Sequence, residues 1–224
     1  MIKLCVFDFD STLMDGETIT FFAQLAGVED EVAKITKLAM KGELGFFESL
    51  KARAKLLKGV SASEIRKVAS NLPFIEGARE IITYLKEKDI KVIVFSGGFH
   101  VATDLAKEVL GYDASFANYL HEKDGVLTGE VGGEMMFGHS KGMVLKELKC
   151  LLNLQKDEIL CVGDGANDIS MFKEAGTSIA FCAKEALKEH ATYIIDKKDL
   201  REIKQYVWWK FFALVRLCWE RIHS

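Results

Sequence analysis

Asp8 and Asp10, separated by Phe9, follow directly on the apolar run Leu4-Cys5-Val6-Phe7 and lead into the polar pair Ser11-Thr12. Two carboxylates so placed past the end of a strand can divide the work of phosphoryl transfer. One attacks phosphorus to form an aspartyl-phosphate; the other, set back, gives a proton to the leaving oxygen and later takes one from water. Asp8 and Asp10 suit these catalytic roles in that order. An ionised carboxylate repels a dianionic phosphate, so the attack needs a bridging divalent cation, and hard oxygen ligands beside a phosphate suit Mg2+.

Three further segments supply what that chemistry lacks. In Gly163-Asp164-Gly165-Ala166-Asn167-Asp168, Asp164 is a natural metal ligand, and Asp168 stands behind it to orient the ligand shell. Ser96-Gly97-Gly98 offers a hydroxyl and unobstructed backbone N–H groups to phosphate oxygens, in a turn that feeds a helix beginning near Phe99. Lys141 contributes the remaining positive charge for the equatorial oxygens of the transferring group. A lone Asp-x-Asp is most often a solvated loop; the four segments together, in this order, carry the reading.

Something must bring these segments to one place. Short apolar runs at 4–7, 92–95, 159–162 and 178–181 read as buried strands separated by amphipathic helical stretches, the pattern of a parallel α/β sheet. Each of the first three runs ends in one of the polar turns, and open α/β sheets bind ligands at the carboxyl ends of their strands. Between the first two strands, residues 18–73 are rich in Ala, Leu, Lys and Glu at helical spacing, which predicts an inserted helical cap. Pro73, the only proline, marks its return hinge. Lys123-Asp124-Gly125 between 118–122 and 126–130 predicts a β-hairpin, 140–152 a helix, and Gly132-Gly133 a flexible spot.

Composition narrows the partners. A formal net charge of −3 without a long basic run gives no footprint for nucleic acid, so a small-molecule phosphomonoester is the expected partner. Five cysteines without CxxC spacing, and a start lacking a signal-peptide pattern, suit a reducing, cytoplasmic setting. At 49% hydrophobic over 224 residues, the chain can bury one sizeable core and a smaller module.

Asp8-Phe9-Asp10-Ser11-Thr12, Ser96-Gly97-Gly98-Phe99, Lys141 and Gly163–Asp168 together resemble the haloacid dehalogenase superfamily, and within it the phosphoserine phosphatases. The resemblance runs from residue 1 to about 206 and includes Cys182-Ala183-Lys184 and Asp199-Leu200-Arg201-Glu202-Ile203. It implies a Rossmann-like α/β core over 1–16 and 74–206 with a small helical cap at 17–73. It implies hydrolysis of O-phospho-L-serine, with Mg2+ held by the Asp8 carboxylate, the Asp10 carbonyl and the Asp164 carboxylate. Ser96, Gly97, Gly98 and Lys141 would bind phosphate. Glu17, Phe46, Arg53 and Asn167 align with residues that contact the substrate.

The cap pair has its own logic. Free phosphoserine carries an ammonium and a carboxylate beside its phosphate, which calls for one anion and one bidentate cation, and Glu17 and Arg53 are such a pair. Phe46 or its neighbour Phe47 would cover the site; Asn167 would touch substrate or cap the following helix. Another small phosphomonoester, an alcohol in place of water as acceptor, and a non-catalytic phospho-ligand scaffold are the alternatives. The resemblance stops short of an aromatic-rich helix at 207–224, expected to pack on the catalytic body or a second subunit, giving a homodimer, or to touch a membrane surface.

Overall fold

The computed structural model describes residues 1–207, and the helix expected at 207–224, with its dimer and membrane readings, lies past Val207 outside the described residues. The sheet is built from Leu4–Asp8 (β1), Lys91–Phe99 (β2), Ala114–Lys123 (β3), Val126–Gly133 (β4), Ile159–Gly163 (β5), Thr177–Phe181 (β6) and Tyr193–Ile195 (β7). Their order is β4-β3-β2-β1-β5-β6-β7, parallel throughout except for β3 with β4. The first of these strands is central and wholly buried, as the unbroken apolar run requires of a strand covered on both faces.

Alternation along β1 sends Cys5 and Phe7 into one apolar cluster and Leu4 and Val6 into another. Ala78–Glu87 (α5) and His100–Leu110 (α6) close the first cluster with Ile81, Leu85, Ala102 and Ala106. Ser140–Leu151 (α7) and Ile169–Phe172 (α8) close the second with Leu145, Met171 and Phe172. Short helices Glu185–Lys188 (α9) and Lys204–Val207 (α10) complete the described core. The hairpin forms at the expected place: Asp124 and Gly125 have φ of 52° and 79°, the paired positive values of a turn matched to strand twist.

The insertion between β1 and β2 consists of Thr18–Ala26 (α1), Glu29–Met40 (α2), Phe46–Leu56 (α3) and Ala62–Ala69 (α4). Phe22, Val32, Leu50 and Ile65 from these helices, with Leu57 just past α3, join the same apolar cluster as the sheet. The outgoing and returning strands are stitched together: Asp15 N–H donates to the Pro73 carbonyl at 2.8 Å and Ile75 N–H to the Leu13 carbonyl at 2.9 Å.

Two local expectations change. Ser96-Gly97-Gly98 is not a turn, because β2 continues to Phe99 through a bulge against β3, and α6 starts at His100. Gly132 and Gly133 are not a loose spot but paired members of β4, opposite Tyr119 and Asn118. The reason is close approach: a Cβ on Gly133 would stand 2.6 Å from the Asn118 Cα.

Candidate active site

The register of the central strands sets the site. Asp8 is level with Phe95 of β2, and Phe7 with Val162 of β5, so Asp8, Ser96 and Asp164 leave neighbouring strands within a residue of one another. Here β1 passes the chain to β2 on one side while β5 lies on the other, the place where such sheets open a crevice. A cavity of about 130 Å³ lies here. Asp8, Asp10, Gly97, Gly98, Asp164, Asn167 and Lys184 line it from the core, and Glu17, Phe46 and Arg53 from the insertion and its threshold.

Lys141, in the first turn of α7, reaches under the floor. Its Nζ lies 2.5 Å from Asp8 Oδ1 and 2.6 Å from Asp168 Oδ1, with the lysine 3% exposed and Asp168 0%. Burial opposes the ammonium, but Asp168 and Asp8 outweigh it and hold the Lys141 pKa above the usual lysine value. Burial, then the charge of Asp168, pushes the Asp8 carboxyl up, while Lys141 pulls it down. Removing either partner would strand a buried charge at a cost of about 3–5 kcal/mol.

Asp8, Asp164 and Asp168 present carboxylate oxygens within 4.8 Å of one another, a spacing that suits a divalent cation. Asp168 is already engaged: Oδ1 takes Lys141, and Oδ2 accepts the N–H groups of Asp164 and Gly165, both at 3.0 Å. It therefore shapes the loop that presents Asp164, and of the three carboxylates only Asp8, one of whose oxygens takes Lys141, and Asp164 line the cavity. Burial first, then Asp168, also pushes Asp164 up. This accumulation of acid is what a bound cation relieves, so the residues present fit a metal ion.

Asp10 is fixed from two sides. Oδ1 accepts the N–H and hydroxyl of Thr18 at 2.6 and 2.5 Å, and Oδ2 accepts the Ser96 hydroxyl at 3.1 Å. Ser96, fully buried, is thus turned to Asp10 and does not itself line the cavity. Gly98 leaves room for that carboxylate, since a Cβ there would meet Asp10 Oδ2 at 2.9 Å. Thr18 was not anticipated, because a threonine opening a helix is an ordinary residue until its partner is known. By sequence Lys184 carries no signal beyond the Cys182-Ala183-Lys184 motif; its Nζ lies 3.5 Å from Asp164 Oδ2.

Glu17 stands open at the rim yet among like charges. Desolvation first, then Asp10 and Asp164, pushes its carboxyl up to about 7, against the opposing pull of Lys184 and a hydrogen bond from Ser11. Arg53 lies in the same cavity, its pKa lowered by burial despite the nearby Glu17 and Asp10. The two phenylalanines divide. The Phe46 ring sits over Gly97, 2.9 Å from where a Cβ would be, whereas Phe47 turns away to stack on Phe137 with centroids 5.1 Å apart. His139 also stacks on Phe137, with centroids 5.7 Å apart, and Lys51 lies over Phe47. Asn167 faces the cavity opposite Gly97, and its side chain does not cap α8.

The comparisons agree with this geometry. Residues 2–176 match the family model of haloacid dehalogenase-like hydrolases. The chain is 56% identical over 203 residues to the phosphoserine phosphatase of Campylobacter jejuni subsp. doylei, covering 91% of this chain and 98% of that one. A phosphoserine phosphatase solved as a phospho-aspartyl intermediate analogue superposes with a TM-score of 0.86 at 50% identity, over 92% of this chain and 98% of that one. A substrate-bound phosphoserine phosphatase complex gives 0.87 at 49% identity, with the same coverage. Among the described residues no helix is long and apolar enough to cross a membrane. The chain belongs to the phosphoserine phosphatase family of the haloacid dehalogenase-like hydrolases.

Proposed function

We propose that this chain hydrolyses O-phospho-L-serine to L-serine and inorganic phosphate through an aspartyl-phosphate on Asp8. The observation that carries the reading is one small cavity lined both by the strand-end carboxylates and by Glu17 and Arg53. The substrate has three charged groups, and the cavity has a partner for each. Arg53 takes the carboxylate in a bidentate grip, Glu17 takes the ammonium, and Phe46 shuts water from the remainder.

In the first step an Asp8 oxygen attacks phosphorus, the bond from phosphorus to the seryl oxygen breaks, and Asp10 delivers a proton to that oxygen, releasing serine. In the second, Asp10 takes a proton from water as the water oxygen attacks the same phosphorus, and the bond to Asp8 breaks. Thr18 and Ser96 keep the Asp10 carboxyl aimed for both steps. Gly97, Gly98 and Asn167 border the phosphate, and Lys141 balances charge behind Asp8. The Asp8 and Asp164 carboxylates and the Asp10 carbonyl would hold a Mg2+ ion, which would supply Lewis-acid relief of the repulsion between carboxylate and phosphate.

Residues 1–16 and 74–206 serve as the catalytic core and 17–73 as the cap that selects substrate; a reducing, cytoplasmic setting suits the unpaired Cys5, Cys150, Cys161 and Cys182. The test is phosphate release with Mg2+ across L-phosphoserine, phosphothreonine, phosphoethanolamine and sugar phosphates. Preference for L-phosphoserine, lost in Asp8→Asn, is the expected result. No release from any of them, or near wild-type turnover by Asp8→Asn, refutes it.

A further inference from the structure

The bulge in β2 leaves peptide groups that the sheet no longer pairs. Phe95 is opposite Phe116 and Phe99 opposite Asn118, so Ser96, Gly97 and Gly98 stand against the single residue Ala117. Backbone carbonyls buried this way need partners. Asn118, itself 0% exposed, supplies them from β3: its Nδ2 lies 3.2 Å from each of the carbonyls of Gly97, Gly98 and Met135, so its two N–H groups serve the three oxygens with one N–H shared. Its Oδ1 accepts the Met135 N–H at 3.0 Å. Gly133, packed against the Asn118 Cα, leaves the residue no room to withdraw.

A trans peptide is planar, with its C=O and N–H on opposite sides. Turning the Gly97 and Gly98 carbonyls toward Asn118 therefore turns the N–H groups of Gly98 and Phe99 away from it. The Gly98 N–H meets Ser96 Oγ at 2.9 Å, and the Ser96 hydroxyl in turn donates to Asp10 Oδ2. A continuous line of hydrogen bonds thus joins a fully buried amide on β3 to the cavity carboxylate Asp10. Only a neutral amide offers the two donors and one acceptor used here; an aspartate would set an anion against three carbonyl oxygens, and a leucine would leave them unpaired.

We propose that Asn118 is a positioning residue for phosphoryl transfer, which fixes the Gly97–Gly98 peptides beside the phosphate and, through Ser96, the orientation of Asp10. This rests on the hydrolase reading above. It predicts a loss at the phosphate end of the site with the Glu17 and Arg53 end untouched.

The test uses Asn118→Ala and Asn118→Ser in the full chain with Mg2+, with turnover normalised to the folded fraction. Asn118→Ala is expected to lower kcat on the order of 10–100-fold, as small misplacements of catalytic groups do. Its affinity for inorganic phosphate, titrated calorimetrically, should fall in step. The ratio of kcat/KM for phosphoserine to that for phosphoethanolamine should stay at the wild-type value, and the serine variant, keeping one donor, should fall between. Turnover and phosphate affinity within twofold of wild type overturn the proposal; so does a collapse of the substrate ratio with phosphate binding intact. Asn118→Ser carries the comparison alone where the alanine variant does not fold. Absence of turnover in the wild type defeats the hydrolase reading, while the phosphate titration still decides the role of Asn118.

Discussion

Glu17→Gln should make the metal-free protein more stable and the enzyme worse. The carboxyl, ordinarily near 4.5, is pushed up to about 7 by desolvation and by Asp10 and Asp164. Between those values the folded chain holds a proton that the unfolded chain has released, so stability falls as pH rises through the window, and the penalty is complete above it. At ~1.4 kcal/mol per pH unit the ceiling is about 3.5 kcal/mol, and solvent screening of a residue open at the rim brings this to about 1–2 kcal/mol. For a chain of this size that is a rise of about 2–8 °C in Tm.

The assay is thermal unfolding followed by circular dichroism in EDTA at pH 8 and pH 5, where the gain should shrink. Mg2+ beside Asp164 should also narrow the gap, because it removes the charge crowding that Gln relieves. With phosphoserine, the same variant should show KM raised about 10–100-fold, the loss of one charge-assisted hydrogen bond. A variant no more stable than wild type at pH 8 in EDTA would show that the acids of the cavity do not repel one another as described.

Arg53→Ala should lower kcat/KM for phosphoserine about 100-fold but for phosphoethanolamine less than about 5-fold, since only the former has a carboxylate to lose; equal losses would remove Arg53 from substrate selection. Phe137→Ala deletes a ring stack worth about 0.5–1.5 kcal/mol that ties α3 to the core. Steady-state kinetics should show KM raised about 2–10-fold with kcat held, restored by Phe137→Tyr, and an unchanged KM would deny the stack any part in seating the cap.

Four core strands, the hairpin and the acids at the strand ends are legible because each rests on local pattern: an apolar run, an Asp-Gly turn, a carboxylate where a strand stops; the three-residue edge strand Tyr193–Ile195 is too short to show one. What escaped depends on cross-strand company. Ser96-Gly97-Gly98 reads as a turn in isolation and becomes a bulge only because Asn118 on the next strand can satisfy its carbonyls. Gly133 likewise reads as loose until Asn118 is placed against it. Phe46 and Phe47 could not be separated by spacing along the chain; Phe137, more than eighty residues on, decides which ring turns inward. Lys184 had no local signal of its role, since its partner Asp164 lies across the sheet loops.

The stitched neck at Leu13–Asp15 and Pro73–Ile75 has an evolutionary reading. The helical insertion leaves and re-enters the core at a single point, so to the sheet it counts as little more than a tight loop, and its length adds only slowly to the entropy of closing that loop. A core with such a socket can exchange one insertion for another without disturbing the strand ends where phosphorus is attacked. New substrates can then be acquired by transplantation at the neck, and chimaeras joined at Leu13 and Ile75 are the natural way to rebuild that history at the bench.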